Sequence, residues 1–233
     1  AAHGRLREEF QAHNQEIVTA KVSRVDPETK DAIVEIGKAQ EPLFRSEQIP
    51  NETLLPGMLI KVYIAGVADA KEGRRGPRVT ISRTHPGLVK RLFESEVPEI
   101  YDGTVEIKAV SREAGSRTKI AVYSADENVD AVGACIGPRG ARVGKIVDML
   151  YGEKIDIVKY SDDPKEFIAA SLAPAEVISV TIDENAEKSC RVIVPDLQLS
   201  LAIGNKGQNA RLAAKLTGWK IDIKPESGKT DPS

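Results

Sequence analysis

Two short segments carry the residues best suited to do chemistry. Ile136-Gly137-Pro138-Arg139-Gly140 and Ile203-Gly204-Asn205-Lys206-Gly207 share one spacing, a glycine, two residues and a second glycine. Glycine lacks Cβ, so it accepts positive φ and lets another backbone come close. Two glycines flanking two residues make a tight turn between helices. The helix that follows offers free N–H groups and the positive end of its dipole, and both favour an anion. Arg139 in the first turn, and Asn205 and Lys206 in the second, can donate to phosphate oxygens. The chemistry implied is phosphate capture rather than bond making. Pro138 removes one backbone donor, so the first turn is expected to be the weaker contact.

Local charge agrees with that reading. The chain of 233 residues has a formal net charge of −2, which argues against a surface that grips nucleic acid everywhere. Between Asp130 and Asp148 there is no acid, while Arg139, Arg142 and Lys145 are basic. Between Asp196 and Asp222 there is again no acid, while Lys206, Arg211, Lys215 and Lys220 are basic. A local phosphate site needs such windows. The plainer alternatives stay open: helix hairpins use this turn for packing alone, and Lys145 and Lys215 suit an ordinary solvated helix face.

The elements that must position these turns are legible from periodicity. Val18, Ala20 and Val22, then Ile60, Val62 and Ile64, then Val79 and Ile81 alternate with polar residues, as strands do. Asp26-Pro27, Gly37 and Pro56-Gly57 punctuate them. A basic loop, Lys71 to Arg78, could also touch phosphate. About five strands over residues 15–85 suit a small all-β barrel of OB type, though an SH3-like barrel has the same periodicity. Residues 1–14 read as a charged helical lead-in. From Pro86 the period becomes helical, with Leu88, Val89, Leu92, Phe93 and Val97 on one face.

The order helix, strand, strand, helix, turn, helix, strand then appears twice. The two turns are offset by 203 − 136 = 67 residues. Lys154-Ile155-Asp156-Ile157 and Lys220-Ile221-Asp222-Ile223 are offset by 220 − 154 = 66. Two separated matches differing by one residue indicate a duplicated domain with one deletion. The expected organisation is multidomain α/β. A barrel at 15–85 precedes α+β repeats at 86–161 and 162–226, and 227–233 form a disordered tail.

Other chemistry finds little support. Cys135 and Cys190 stand apart with no C-x-x-C motif, so free thiols of a reducing compartment are expected rather than a metal site. His3, His13 and His85 do not cluster, and no metal or cofactor is expected. No apolar stretch is long enough to span a bilayer, and the polar start is no signal peptide. Asp126, Glu127 and Asp130 have no partner base and read as a solvated loop and helix start. No catalytic residue is expected.

The repeats resemble KH domains of the bacterial type II arrangement, and the barrel resembles the OB-fold domain named after ribosomal protein S-one. Together with Ser46-Glu47-Gln48-Ile49-Pro50, Gly133-Ala134-Cys135-Ile136-Gly137 and Leu201 to Ala210, the arrangement over about 15–226 is similar to the NusA family of transcription elongation, termination and antitermination factors. That resemblance implies single-stranded RNA as ligand, RNA polymerase and other elongation factors as partners, and a cytoplasmic, monomeric protein. It implies a polymerase-binding domain before residue 1, which the initial Ala in place of Met also suggests. Each repeat is then expected to hold about four nucleotides between turn and last strand. The candidate RNA-binding residues of the first repeat are Ile136, Gly137, Pro138, Arg139, Gly140, Arg142, Lys145, Ile155, Asp156, Ile157 and Val158. Those of the second are Ile203, Gly204, Asn205, Lys206, Gly207, Gln208, Asn209, Arg211, Ile221, Asp222 and Ile223. The barrel departs from a good stacking platform, with Phe44 and Tyr63 as its main rings. The rival readings are a protein-interaction scaffold, the RNA-binding tail of a nuclease such as polynucleotide phosphorylase, and a ribosome-associated KH protein. The nuclease family has one KH before one OB, and the barrel argues against the ribosomal reading.

Overall fold

The computed structural model describes residues 15–68 and 78–228. The expected lead-in at 1–14, most of the basic loop at 71–78 and the end of the tail lie outside the described residues. The chain divides into two compact units, residues 1–92 with 149–152, and 93–148 with 153–233.

Five antiparallel strands build the barrel of the first unit: β1 (Ile17–Val25), β2 (Ala32–Ile36), β3 (Ala39–Leu43), β4 (Leu59–Ala68) and β5 (Arg78–Ser82), in the order β3-β2-β1-β4-β5. β3 and β5 also lie against each other, so the barrel is nearly closed and OB-like. Ala20, Val22, Ile60, Val62, Ile64, Val79 and Ile81 are buried inside it, and alternation along each strand put them there. Beside the barrel, Arg83 donates from Nε to both Glu52 oxygens at 2.9 and 3.0 Å, and both side chains are buried. Tyr63 is buried and stacks on His85 with ring centroids 4.5 Å apart.

Helix α1 (Pro86–Glu96) begins at a proline, which needs no N–H there. Pro98 starts a separate short helix, α2 (Pro98–Tyr101). The first repeat continues with β6 (Val105–Glu113), β7 (Arg117–Ser124), α3 (Ala131–Ile136), α4 (Ala141–Met149) and β8 (Lys154–Lys159). The second has α5 (Pro164–Ser171), β9 (Ser179–Ile182), β10 (Ser189–Val194), α6 (Leu199–Ile203), α7 (Gln208–Thr217) and β11 (Lys220–Pro225). Asp163 caps α5 by accepting from the Lys165 N–H at 3.1 Å, and Pro164 occupies its first position.

Each repeat has a three-stranded sheet, ordered β6-β7-β8 and β9-β10-β11. In each, the first pair is antiparallel and the second parallel. The last strand is therefore an edge in both. The repeats share an apolar contact: Ala121 and Val158 of the first pack with Phe167 and Leu216 of the second, and Tyr160 joins them. Tyr160 meets Phe167 edge to face at 5.0 Å between centroids. Burial of apolar surface in this contact favours the docked arrangement of the repeats.

Candidate nucleic-acid interface

The two glycine turns have one backbone. Gly137 and Gly204 sit at φ 75°, ψ 171° and φ 83°, ψ 169°, a region open to glycine almost alone. Arg139 and Lys206 follow in the left-handed region at φ 56° and 55°. The closing glycines, Gly140 and Gly207, have φ of 74° and 75°. Each turn is closed by the same 3.1 Å bond, from the second glycine N–H to the first glycine carbonyl. A Cβ on Gly204 would lie 2.6 Å from the backbone nitrogen of Asn209. Gly204 is thus required by space as well as by φ.

This backbone holds Pro138, Arg139, Asn205 and Lys206 in the open. The basic residues beyond the turns are differently employed. Arg142 donates to Glu99 at 2.6 Å and to the Ala134 carbonyl at 2.8 Å, and Lys145 lies 3.1 Å from Glu96. Arg211 donates to both oxygens of Glu113, at 2.9 and 2.7 Å. The Arg211 bond holds the Glu113 carboxyl below its usual range. Gln208 donates to the Ser116 hydroxyl at 2.7 Å. Glu113 and Ser116 belong to the first repeat, so Gln208 and Arg211 clasp the two repeats together. Asn209 is buried, and its amide nitrogen donates to the carbonyls of Ala202 and Leu172. The acid-free windows of the sequence are thus partly neutralised by acids from other elements.

The strand residues also separate. Ile155 and Ile157 in β8, and Ile221 and Ile223 in β11, are half-buried. With the exposed Ile136, Leu201 and Ile203 they supply apolar surface beside the turns. Val158 instead is buried in the apolar contact between the repeats. Asp156 accepts from Arg117 at 2.7 and 2.9 Å and from Lys119 at 2.9 Å. Burial would raise its carboxyl, but these two cations outweigh burial and lower it. Burial pushes the Lys119 ammonium down, and Asp156 only partly restores it. Asp222, at the same point of the second repeat, is exposed. Another buried group in the first repeat, Glu153, takes Arg112, Thr118 and the Gly115 N–H.

Other chemistry stays remote. Burial raises both thiols, Cys135 to about 12, so neither is a nucleophile at neutral pH. Among the described residues no group of three His, Cys, Asp or Glu could hold a metal, and no helix is long and apolar enough to cross a membrane. A cleft of about 810 Å³ is lined by Asp126, Glu127, Asp130, Asp162, Asp163 and Glu166. Its charge repels phosphate.

Residues 83–160 match the family of NusA-like first KH domains and residues 164–231 the family of NusA-like second KH domains. The chain is 56% identical over 227 residues to the transcription termination/antitermination protein NusA of Bacillus subtilis, covering 97% of this chain and 60% of that protein. It is 48% identical to the protein so named from Mycobacterium tuberculosis, over 100% of this chain and 69% of that protein. The one from Thermus thermophilus is 46% identical, over 93% and 55%. The chain thus spans between about half and two thirds of the length of these relatives.

Proposed function

The chain belongs to the NusA family, and from that premise we propose that it is the part of a transcription termination/antitermination factor that holds single-stranded RNA across two KH domains. One observation carries the reading: two glycine turns of identical backbone, each exposing donors beside an edge strand and a patch of apolar side chains. The turn fixes phosphates, the half-buried isoleucines receive bases, and the strand edge offers amides. Each domain accommodates about four nucleotides. The barrel contributes little stacking, because Tyr63 is buried against His85, which leaves Phe44 as the one exposed Phe, Tyr or Trp ring among its described residues.

In this reading the barrel spans 15–85 and the KH domains 86–161 and 162–226. The ligand is a nascent or leader transcript. The partners are RNA polymerase and other elongation factors, and the protein is a cytoplasmic monomer that catalyses nothing itself. The relatives bear the names of transcription factors rather than enzymes.

The test is titration of a labelled single-stranded RNA against the wild type and a variant carrying Pro138→Asp, Arg139→Asp, Asn205→Asp and Lys206→Asp. Circular dichroism checks the fold. Binding should collapse in the folded variant. For three to five phosphates, the wild-type log–log salt slope should be about −2 to −3.5. Unchanged binding would remove RNA from the turns and favour a protein-interaction scaffold.

A further inference from the structure

The second glycine turn has a support that reaches it from outside its own repeat. Arg211 lies in the first turn of helix α7. Its Nη1 donates to the Lys206 carbonyl at 3.0 Å, and Lys206 is the left-handed residue of the glycine turn, at φ 55° and ψ 29°. Its Nε and Nη2 donate to the two Glu113 oxygens at 2.9 and 2.7 Å. Glu113 ends β6 of the first repeat. One guanidinium thus joins the first repeat's sheet to the second repeat's turn. The planar fork of arginine suits this two-point grip on a carboxylate, whereas an ammonium is a point charge.

The first turn is built without this tie. The residue corresponding to Arg211 is 211 − 67 = 144, and Gly144 has no side chain to reach Arg139. There Arg142 donates to the Ala134 carbonyl, on the helix before the turn, and its carboxylate partner Glu99 belongs to the same repeat. A lysine persists in left-handed backbone where its surroundings hold it there. A bond to its carbonyl from a pinned arginine is such a hold.

We infer that Arg211 is a positioning residue for RNA binding rather than a phosphate ligand: pinned by Glu113 of the first repeat, it holds the Lys206 carbonyl and keeps the second turn in its phosphate-binding form. The inference rests on the proposed RNA-binding function and adds how one repeat sets the other's turn. It also reverses a simple electrostatic expectation. Glu113 is an acid near a phosphate site, so on charge alone its removal should strengthen RNA binding. As the anchor of Arg211, its removal should weaken it.

The experiment measures binding of a labelled mixed-sequence RNA of about twelve nucleotides, enough to occupy both domains. The variants are Glu113→Gln, Arg211→Lys and Ser116→Ala in the whole chain, with circular dichroism checking the fold. Glu113→Gln is also combined with a disabled first turn (Pro138→Asp, Arg139→Asp) and with a disabled second turn (Asn205→Asp, Lys206→Asp). Glu113→Gln should weaken binding about fivefold, the scale of an exposed ion pair. It should not steepen the salt slope by the roughly 0.7 that a freed arginine on phosphate would add. Arg211→Lys, which keeps the charge and loses the fork, should weaken binding as much. Ser116→Ala removes the Gln208 bond of the clasp and leaves Arg211 in place, so binding should be unchanged. The Glu113→Gln loss should persist with the first turn disabled and vanish with the second disabled. Unchanged or stronger binding by Glu113→Gln, full binding by Arg211→Lys, an equal loss from Ser116→Ala, or an equal loss in both disabled backgrounds would overturn the positioning role. Binding indifferent to all four turn substitutions together would instead overturn the RNA reading beneath it.

Discussion

Lys119 faces Asp156 across β7 and β8 in the same register that sets Arg191 against Asp222 across β10 and β11. In the first repeat, Lys119 is wholly buried, 2.9 Å from Asp156 and 2.7 Å from the Ala173 carbonyl of the second repeat. In the second, Arg191 and Asp222 are 64% and 51% exposed and 3.5 Å apart. The turns, by contrast, agree within a few degrees in the two copies. Duplication has kept the backbone that makes a phosphate site and let the sheets diverge. The first sheet serves as the platform of the second repeat, so its charged pair is enclosed, while the second sheet's pair stays in water.

The largest effect should separate these pairs. Asp156→Ala leaves Lys119 buried without its carboxylate, which should cost about 3–5 kcal/mol. Asp222→Ala should cost less than about 1 kcal/mol. Urea unfolding of both variants checks this, and equal losses would break the comparison.

The turns provide the next contrast. Gly137→Ala and Gly204→Ala both force a side chain into glycine-only backbone, a strain of about 1–3 kcal/mol. At Gly137 the new Cβ meets the flexible Arg142 side chain, and at Gly204 it meets the Asn209 backbone. Gly204→Ala should therefore be the more destabilising in thermal unfolding. The reverse order would mean that the first turn is the tighter of the two.

The smallest effect concerns the clasp. Glu113 titrates below its usual value of 4.5, chiefly because Arg211 bonds to it. A depressed carboxylate stabilises above its unfolded pKa and loses that contribution as pH falls through the folded pKa. The clasp should hold at neutral pH and release only as pH falls through the lowered pKa of the folded state, below the ordinary 4.5. NMR titration of the Glu113 carboxyl should show the low midpoint, and Arg211→Gln should return it toward normal. A midpoint indifferent to Arg211→Gln would disconnect the pair.

Much of this was readable before any coordinates. Alternation placed the barrel interior, because strands put every second side chain inside. The 66- and 67-residue offsets exposed the repeat, because the turn and the last strand both need particular residues. The use of the basic side chains was hidden. Acid-free windows around the turns describe only neighbours along the chain, whereas Glu96, Glu99 and Glu113 reach Lys145, Arg142 and Arg211 from other elements. Asp156 and Asp222 stand in the same Lys-Ile-Asp-Ile context, and nothing local shows that packing will enclose one of them.

The apolar contact of Ala121, Val158, Phe167 and Leu216 also bears on how the chain can be divided. A cut in the four-residue connection between Lys159 and Pro164 would expose an oily face on both halves, and would leave Lys119 without the Ala173 carbonyl. The two KH domains are therefore separate as ancestral copies and single as a folding unit. They should melt in one calorimetric transition, and each half expressed apart should be prone to aggregate.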